Sequence, residues 1–186
     1  MISCRFNRIL VVCSVAAFFP SCGPKKDFVI TDAYVSKEMG INPTEKDKAA
    51  AFTEDDKKYV AKKLDVEASL LTNDKLYSFI KRNENAKNSS AGITARLYAD
   101  VYSKKIIGEP VDILSDKRLE LFKDTGSLRE GDLVFFRSNS DEVVSHVGIY
   151  LKNDHFFSSQ NNKAEIYNIK KGSWRKNFVS GGRFKQ

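Results

Sequence analysis

The sequence predicts one α+β domain in which helices pack on an antiparallel sheet. Apolar residues recur at three- and four-residue intervals up to about residue 108, which is typical of amphipathic helices. From Gly131 onward they alternate with polar residues, which is typical of strands. Helices followed by a run of strands favour the α+β class. A chain of 186 residues that is 41% hydrophobic is also long enough for one domain with an ordinary core.

The first 22 residues differ in composition from the rest of the chain. Two arginines and no acid precede an apolar run over residues 9–19, and the small residues SCG follow at 21–23. This layout predicts a secretory signal peptide over residues 1–21, since the apolar run is only about half of the ~20 residues that span a bilayer. The SCG segment resembles a bacterial lipobox, which implies lipidation of Cys22. The alternative is an ordinary signal peptide with an incidental cysteine.

Cysteine is confined to this leader. Cys4, Cys13 and Cys22 are the three cysteines of the chain. A disulfide framework, Cys-ligated zinc and a cysteine nucleophile are therefore excluded for the body that follows. The two histidines, His146 and His155, lack metal-ligand spacing, so the sequence predicts no metal site, and His155 is expected to be exposed at a hairpin tip. No Gly-rich phosphate loop follows a strand, so it also predicts no cofactor.

The charge balance is basic but mixed. The formal net charge is +7 with a pI near 9.2, because 31 Lys and Arg residues are interspersed with 24 Asp and Glu residues. No run of five basic residues occurs, and the aromatic residues are not interleaved with cations on one element, so nucleic acid is not an expected partner. A basic surface would favour acidic envelope polymers or lipid headgroups, and a solvated surface of mixed charge is the alternative.

Two helix starts are marked by capping residues. Thr53 precedes a run of three acids, which predicts an N-cap and a helix to about Leu64. Asn73 is a second N-cap candidate, before a short amphipathic helix that includes Ile80.

The strongest helical stripe lies in the middle of the chain. Ile93, Leu97 and Val101 recur every four residues, which predicts a helix that begins near Ser90 and ends before Gly108. The polar residues before it are expected to form a loop.

The last third of the chain predicts strands joined by short turns. Ser115 is expected to cap one more helical turn that reaches Phe122. Asn153 and Asp154 suit the positive φ angles of a tight hairpin turn, and residues 173–178 read as a short helical turn. The predicted strands cover residues 133–137, 146–151, 156–159 and 165–169.

These strands carry motifs that resemble the NlpC/P60 family of papain-like cell-wall cysteine peptidases. The similarity extends back to about Leu76. It rests on REGDLVFF at residues 129–136, SHVGIYL at 145–151, KNDHFF at 152–157 and SWRKNF at 173–178 ahead of Arg183-Phe184. The resemblance implies a papain-like α+β fold. Together with the leader, it divides the chain into a predicted signal (1–21), an acylated N-terminus with linker and helical segment (22–72) and an NlpC/P60-like domain (73–186).

The family implies a catalytic Cys at a helix N-terminus, a His on the sheet and a third polar residue that orients the His. A helix N-terminus and a nearby imidazolium lower a thiol pKa, and the third group fixes the imidazole tautomer. In this chain the three positions hold Ser90, His146 and Ser158. Gln160 and Asn161 are alternative partners for the His146 ring. The family's Tyr-Gly-Gly stretch before the nucleophile is replaced by polar residues 83–87, which puts the usual substrate-side wall in doubt.

Three functions follow from this resemblance. The first is an envelope lipoprotein, attached to a membrane through lipid on Cys22 and placed in the outer membrane or facing the periplasm, whose domain binds peptidoglycan stem peptides or an envelope protein without catalysis. The second is a peptidoglycan hydrolase that uses a Ser90–His146 dyad. The third is a structural protein with a closed cleft. For Ser89 and Ser90 themselves, the alternative to any catalytic role is helix capping.

Overall fold

The computed structural model describes residues 52–138 and 142–185, which belong to one compact unit. The predicted signal peptide and the lipidation of Cys22 lie outside the described residues and stay predictions. Within the described ranges, no helix has both the length and the apolar character needed to cross a membrane.

Five α-helices form in the described chain, and the capping residues expected for the first two are confirmed. Thr53 Oγ1 accepts a hydrogen bond from the Asp56 amide at 3.1 Å, and Asn73 Oδ1 accepts one from the Leu76 amide at 3.1 Å. These bonds satisfy amides that a helix start leaves without an intrahelical partner. The helices are α1 Glu54–Leu64, α2 Asp74–Asn83, α3 Ser90–Tyr102, α4 Pro110–Leu114 and α5 Gly172–Asn177.

Six strands form one antiparallel sheet in the order β1-β6-β2-β3-β4-β5. The four strands expected from the sequence are confirmed as β2 to β5: β2 has the predicted ends, and the ends of β3 to β5 differ by one or two residues. The strands are β1 Leu119–Phe122, β2 Leu133–Arg137, β3 Val144–Tyr150, β4 His155–Gln160, β5 Lys163–Asn168 and β6 Phe178–Phe184.

The predicted helical turn from Ser115 to Phe122 is wrong. Ser115 ends α4 as its C-cap, and residues 119–122 form the edge strand β1. Leu119 pairs with Phe184 on β6, so a partner at the far end of the chain decides the conformation of this short segment. Local propensity is a weak guide where such a partner exists.

Strand β6 is the second element that periodicity did not indicate. Gly181 and Gly182 interrupt its apolar pattern, but both lie in the ladder between β1 and β2. A Cβ at Gly181 would lie 2.4 Å from the Phe122 ring, so the missing side chain lets the aromatic ring lie directly on the backbone.

The core lies on both faces of the sheet. The larger cluster fills the space between the sheet and helices α1 to α4, and includes Leu64, Leu76 and Leu97, each with 0% exposure. The smaller cluster lies on the opposite face beneath α5. Because Leu64 belongs to the larger cluster, the segment before residue 73 packs in the same core as the family-like part of the chain. The domain boundary at residue 73 stays a prediction.

The β3–β4 hairpin turn connects the sheet to α1. Asn153 and Asp154 have φ angles of 50° and 60°, as the sequence predicts. Asn153 Nδ2 donates to the Leu64 carbonyl oxygen at 3.0 Å, which ties the turn to the end of the first helix. His155, expected to be exposed, is half-buried, and its Nδ1 is enclosed without a hydrogen-bond partner. The strand pairing that follows the turn draws the ring inward.

Candidate functional site

The N-terminus of α3 points at the sheet and carries two serines with different tasks. Ser89 is the N-cap, and its Oγ accepts a hydrogen bond from the Gly92 amide at 3.0 Å. Ser90 is the first helical residue, 7% exposed, and its Oγ accepts a 3.5 Å hydrogen bond from the Val147 amide on β3. The capping interpretation therefore holds for Ser89, whereas Ser90 faces the strand that carries His146.

His146 and Ser158 form the second part of the site. His146 Nε2 lies 2.8 Å from Ser158 Oγ, and the same hydroxyl lies 2.6 Å from the Val147 carbonyl oxygen. A carbonyl oxygen only accepts, so the single hydroxyl proton of Ser158 goes to Val147 and the imidazole donates through Nε2–H. This assignment leaves Nδ1 as the basic nitrogen of His146. Ser158, and not Gln160 or Asn161, orients the ring.

The surroundings of His146 keep it uncharged at neutral pH. Burial lowers the His146 pKa from 6.5 to about 4. The Trp174 ring from α5 packs on the imidazole with a centroid separation of 4.9 Å, and Phe136 contacts it edge-on at 6.2 Å. An aromatic enclosure without a carboxylate disfavours the imidazolium.

An open polar cleft of about 530 Å³ lies in front of these groups. Ser90 and His146 line it, whereas Ser158 is fully buried behind the imidazole. The remaining lining comes from the residues just before α3 and from the β4–β5 hairpin, namely Asn88, Ser89, Ser159, Gln160, Asn161 and Asn162. Ser90 and His146 both line the cleft, and no hydrogen bond joins them within the described residues.

The segment that replaces the family's Tyr-Gly-Gly stretch leaves the cleft open. Asn85 donates its amide to the Ala164 carbonyl oxygen at 2.7 Å, and Ala164 donates its own amide to Ala86 at 3.1 Å. The Asn83 side chain turns back to the Phe79 carbonyl oxygen at 2.8 Å. Residues 83–87 therefore pair with the start of β5 and do not line the cleft.

One wall of the cleft includes residues, Asn88 and Asn162, that the sequence had not indicated as part of the site. Asn88 and Asn162 come from segments far apart in sequence but line the same cleft, and the Ser159 hydroxyl donates to the Asn88 carbonyl oxygen. Asn161 and Asn162 have φ angles of 52° and 59°, so they form the tight turn of the β4–β5 hairpin. The Asn-Asn pair was the available signal, because these residues tolerate the left-handed region.

Across residues 52–138 and 142–185, no group of three or more His, Cys, Asp or Glu side chains is placed to hold a metal ion.

A helix whose N-terminus faces a histidine on an antiparallel sheet defines the class of papain-like α+β domains. The profile of the NlpC/P60 family matches residues 81–183, more than half of the chain. The chain therefore belongs to the NlpC/P60 family, and the expected family and fold class are confirmed.

Individual relatives agree with this assignment. The chain is 41% identical over 56 residues to the bifunctional muramidase/DL-endopeptidase CwlT of Bacillus subtilis, which is 30% of this chain and 17% of that protein. An NlpC/P60 family protein from Bacillus cereus has a TM-score of 0.52 at 17% identity, over 61% of this chain and 40% of its own. A Staphylococcus aureus protein described as similar to lipoprotein, NLP/P60 family, has a TM-score of 0.52 at 14% identity, over 82% and 48%. The chain thus spans less than half the length of these relatives.

Proposed function

We propose that this chain is a bacterial envelope protein whose NlpC/P60 domain binds peptidoglycan stem peptides without cleaving them. The observation that carries the proposal is the composition of the site. The helix N-terminus, the strand histidine and an open cleft are present, while Ser90 occupies the nucleophile position and His146 is an uncharged imidazole.

Chemical reasons argue against efficient hydrolysis. A serine hydroxyl needs a general base to attack a carbonyl, because the helix N-terminus that activates a thiol does little for an alcohol. With a pKa near 4, His146 is a weak base at neutral pH. Its other nitrogen donates to the Ser158 hydroxyl, which carries no negative charge to stabilise an imidazolium.

The geometry nevertheless supports binding. The cleft is open, and its side chains offer hydroxyl and carboxamide groups that match peptide N–H and C=O groups. The relative CwlT is by its name an endopeptidase, and an endopeptidase recognises a peptide. Peptide binding by the domain of this chain would agree with that relationship. Docking of an envelope protein in the same cleft is the alternative within this class.

Attachment to the envelope membrane through lipid on Cys22 belongs to the same proposal. It rests on the leader composition and the SCG segment at residues 21–23, and places the domain in the outer membrane or facing the periplasm. Metabolic labelling with a clickable fatty acid tests it. Label is expected on the natural chain and absent from Cys22→Ser, whereas equal labelling of both contradicts lipidation at this residue.

The binding proposal is tested with the full chain. Purified protein is mixed with insoluble peptidoglycan and, separately, with soluble stem peptides. Co-sedimentation and calorimetry measure binding, and mass spectrometry of the soluble fraction measures cleavage. We expect binding without new peptide termini. Cleavage by the natural chain that disappears in His146→Ala would overturn the non-catalytic proposal.

A peptidoglycan hydrolase based on Ser90 and His146 is the second candidate. One observation favours it: Ser158 ties up Nε2, so the Nδ1 lone pair of His146 is free, in a cleft that Ser90 also lines. Ser90→Cys and Ser90→Ala separate the candidates. If the dyad is active, Ser90→Ala abolishes cleavage. If only the nucleophile is deficient, Ser90→Cys yields cleavage that the natural chain lacks.

A further inference from the structure

We infer that the basic segment at residues 170–176 docks on the anionic headgroups of a lipid membrane. This segment, KKGSWRK, covers the start of α5 and the two residues before it. It contains no acid and four exposed cations, Lys170, Lys171, Arg175 and Lys176. The inference goes beyond the proposed peptide binding and does not depend on it.

Three of these cations are available to an external anion. Among the described residues, Lys171, Arg175 and Lys176 form no ion pair with a carboxylate. An exposed Lys or Arg is attracted to an anionic lipid surface, and the attraction extends over about one Debye length. Cations held on one short segment lie within that range together, so their contributions add at the same surface.

A groove of about 410 Å³ lies beside the segment and has both charged and apolar lining. Lys170 and Arg175 supply its charges, Thr125 supplies a hydroxyl, and Ile169 and Phe178 supply apolar surface. A guanidinium forms paired hydrogen bonds with phosphate oxygens, and a hydroxyl donates a further one. The apolar part matches the glycerol and first methylene groups next to a lipid phosphate, whereas a fully hydrophilic polymer would leave it unused.

The acids next to this groove are already engaged. Asp154 pairs with Lys170 at 2.7 Å. Asp124, which precedes Thr125, accepts hydrogen bonds from the Gly126 amide at 2.9 Å and the Ser127 hydroxyl at 3.1 Å. Neither carboxylate is therefore needed to compensate Arg175, whose charge is left for the ligand.

The other face of the sheet differs in its charge pattern. Helix α1 starts with three acids, and cations of α1 and α3 are compensated by ion pairs on that side. These pairs are Lys57–Asp74, Lys63–Glu84 and Arg96–Asp100. The uncompensated positive charge of residues 170–176 thus gives the domain one preferred face for a negative surface.

The tryptophan of this segment provides a direct readout. Trp174 is the only tryptophan of the chain and lies between the cations. The full chain is titrated with vesicles that carry a nitroxide on the headgroup of a tracer lipid, and quenching of the tryptophan fluorescence is recorded. We expect quenching with vesicles that contain phosphatidylglycerol and little with phosphatidylcholine alone. Insertion of the leader or of an acyl chain into either vesicle does not by itself bring Trp174 to the headgroups.

Variants locate the contact. For Lys171→Gln together with Arg175→Gln, the lipid concentration at half-maximal quenching is expected to rise about thirtyfold, and for Lys171→Gln alone about fivefold. The matched control is Lys62→Gln together with Lys75→Gln, which removes two exposed cations without ion pairs from α1 and α2. This control should change the midpoint less than twofold.

Three results would overturn the inference. The first is equal quenching with both kinds of vesicle, and the second is an equal loss in the two double variants. The third is binding of a soluble glycerol-phosphate polymer, lost on Arg175→Gln, without quenching at phosphatidylglycerol vesicles. Each of these results leaves the proposed peptide binding standing, because the groove and the cleft share no lining residue.

Discussion

The two ends of helix α3 differ in the charge of the neighbouring side chains and in how far the polar groups there are hydrogen-bonded. At the C-terminal end, Tyr98 donates to the Gly131 carbonyl oxygen, next to the ion pair of Asp132 and Arg183. At the N-terminal end, Ser89 and Ser90 face an open cleft of uncharged polar side chains. One end joins the helix to the sheet, while the other presents an open polar surface.

The C-terminal end of α3 contributes mainly to the stability of the fold, whereas the N-terminal end borders the cleft. Asp132 is 4% exposed and receives two hydrogen bonds from Arg183, at 2.8 and 2.6 Å, and one from the Arg129 amide at 2.7 Å. Removing one member of a buried ion pair with this number of hydrogen bonds strongly lowers the free energy of unfolding. The groups at the other end are neutral, so changes there alter chemistry and recognition at less cost to the fold.

The largest expected effect is at the C-terminal end. Asp132→Ala removes the carboxylate and leaves the Arg183 guanidinium and the Arg129 amide without their acceptor. We expect the free energy of unfolding to fall by about 3 kcal/mol, the lower end for a broken buried pair because the Arg183 side chain is 31% exposed. Urea unfolding followed by circular dichroism measures the change.

The control for this prediction is Asp124→Ala. Asp124 accepts hydrogen bonds from the Gly126 amide and the Ser127 hydroxyl at an exposed turn. Its loss should cost about 1 kcal/mol, as for other capping residues. If Asp132→Ala and Asp124→Ala lose the same free energy of unfolding, the buried ion pair near the C-terminal end of α3 contributes no more to stability than an exposed turn residue.

The next effect concerns the pH dependence that His146 confers. Its pKa is about 4 in the folded chain against 6.5 as the reference, so the unfolded chain binds more protons between these values. Stability is therefore complete above about pH 6.5 and decreases as the pH falls towards 4, by about 2 to 3 kcal/mol from this one group. Unfolding midpoints between pH 4 and 7 measure the slope.

His146→Gln isolates that contribution. Asp56, Glu84 and Asp116 have pKa values that their hydrogen-bonding and ionic partners lower, so they add their own acid destabilisation in both proteins. The stability of the natural chain relative to the variant is expected to be constant above about pH 6.5 and to fall by about 2 to 3 kcal/mol as the pH decreases to 4, because only the natural chain carries the titrating imidazole. A parallel pH profile for the two proteins would show that His146 is not buried as an uncharged ring.

The smallest effect distinguishes the two serines at the start of α3. Ser89→Ala removes the cap on the Gly92 amide and should cost about 1 kcal/mol. Ser90→Ala removes only a 3.5 Å contact with the Val147 amide, so we expect a loss of about 0.5 kcal/mol or less. Thermal unfolding of both variants under the same conditions checks the order. A larger loss for Ser90→Ala would make Ser90 a structural residue.

The α+β class, the family and the expected site positions Ser90, His146 and Ser158 could all be predicted from the sequence alone. These follow from local signals: the stripe through Ile93 and Leu97 and the motif strings around His146 are contiguous in the chain. Because no cysteine follows residue 22, the resemblance to the family also predicts that a serine, Ser90, stands at the nucleophile position. Such inferences need no knowledge of which segments meet in space.

The contacts between distant segments could be read only from the folded chain. Strand β1 depends on pairing with β6, more than 50 residues later, and local propensity had favoured a helical turn instead. In the cleft wall, the Ser159 hydroxyl likewise links the β4–β5 hairpin to Asn88. Ser158 donates to the Val147 carbonyl oxygen and accepts from His146 Nε2, and these two contacts leave Nδ1 as the basic nitrogen of His146. Hydrogen bonds between residues far apart in the sequence produce no periodic pattern in a single chain. The residues that line the cleft could therefore be identified only in the folded protein.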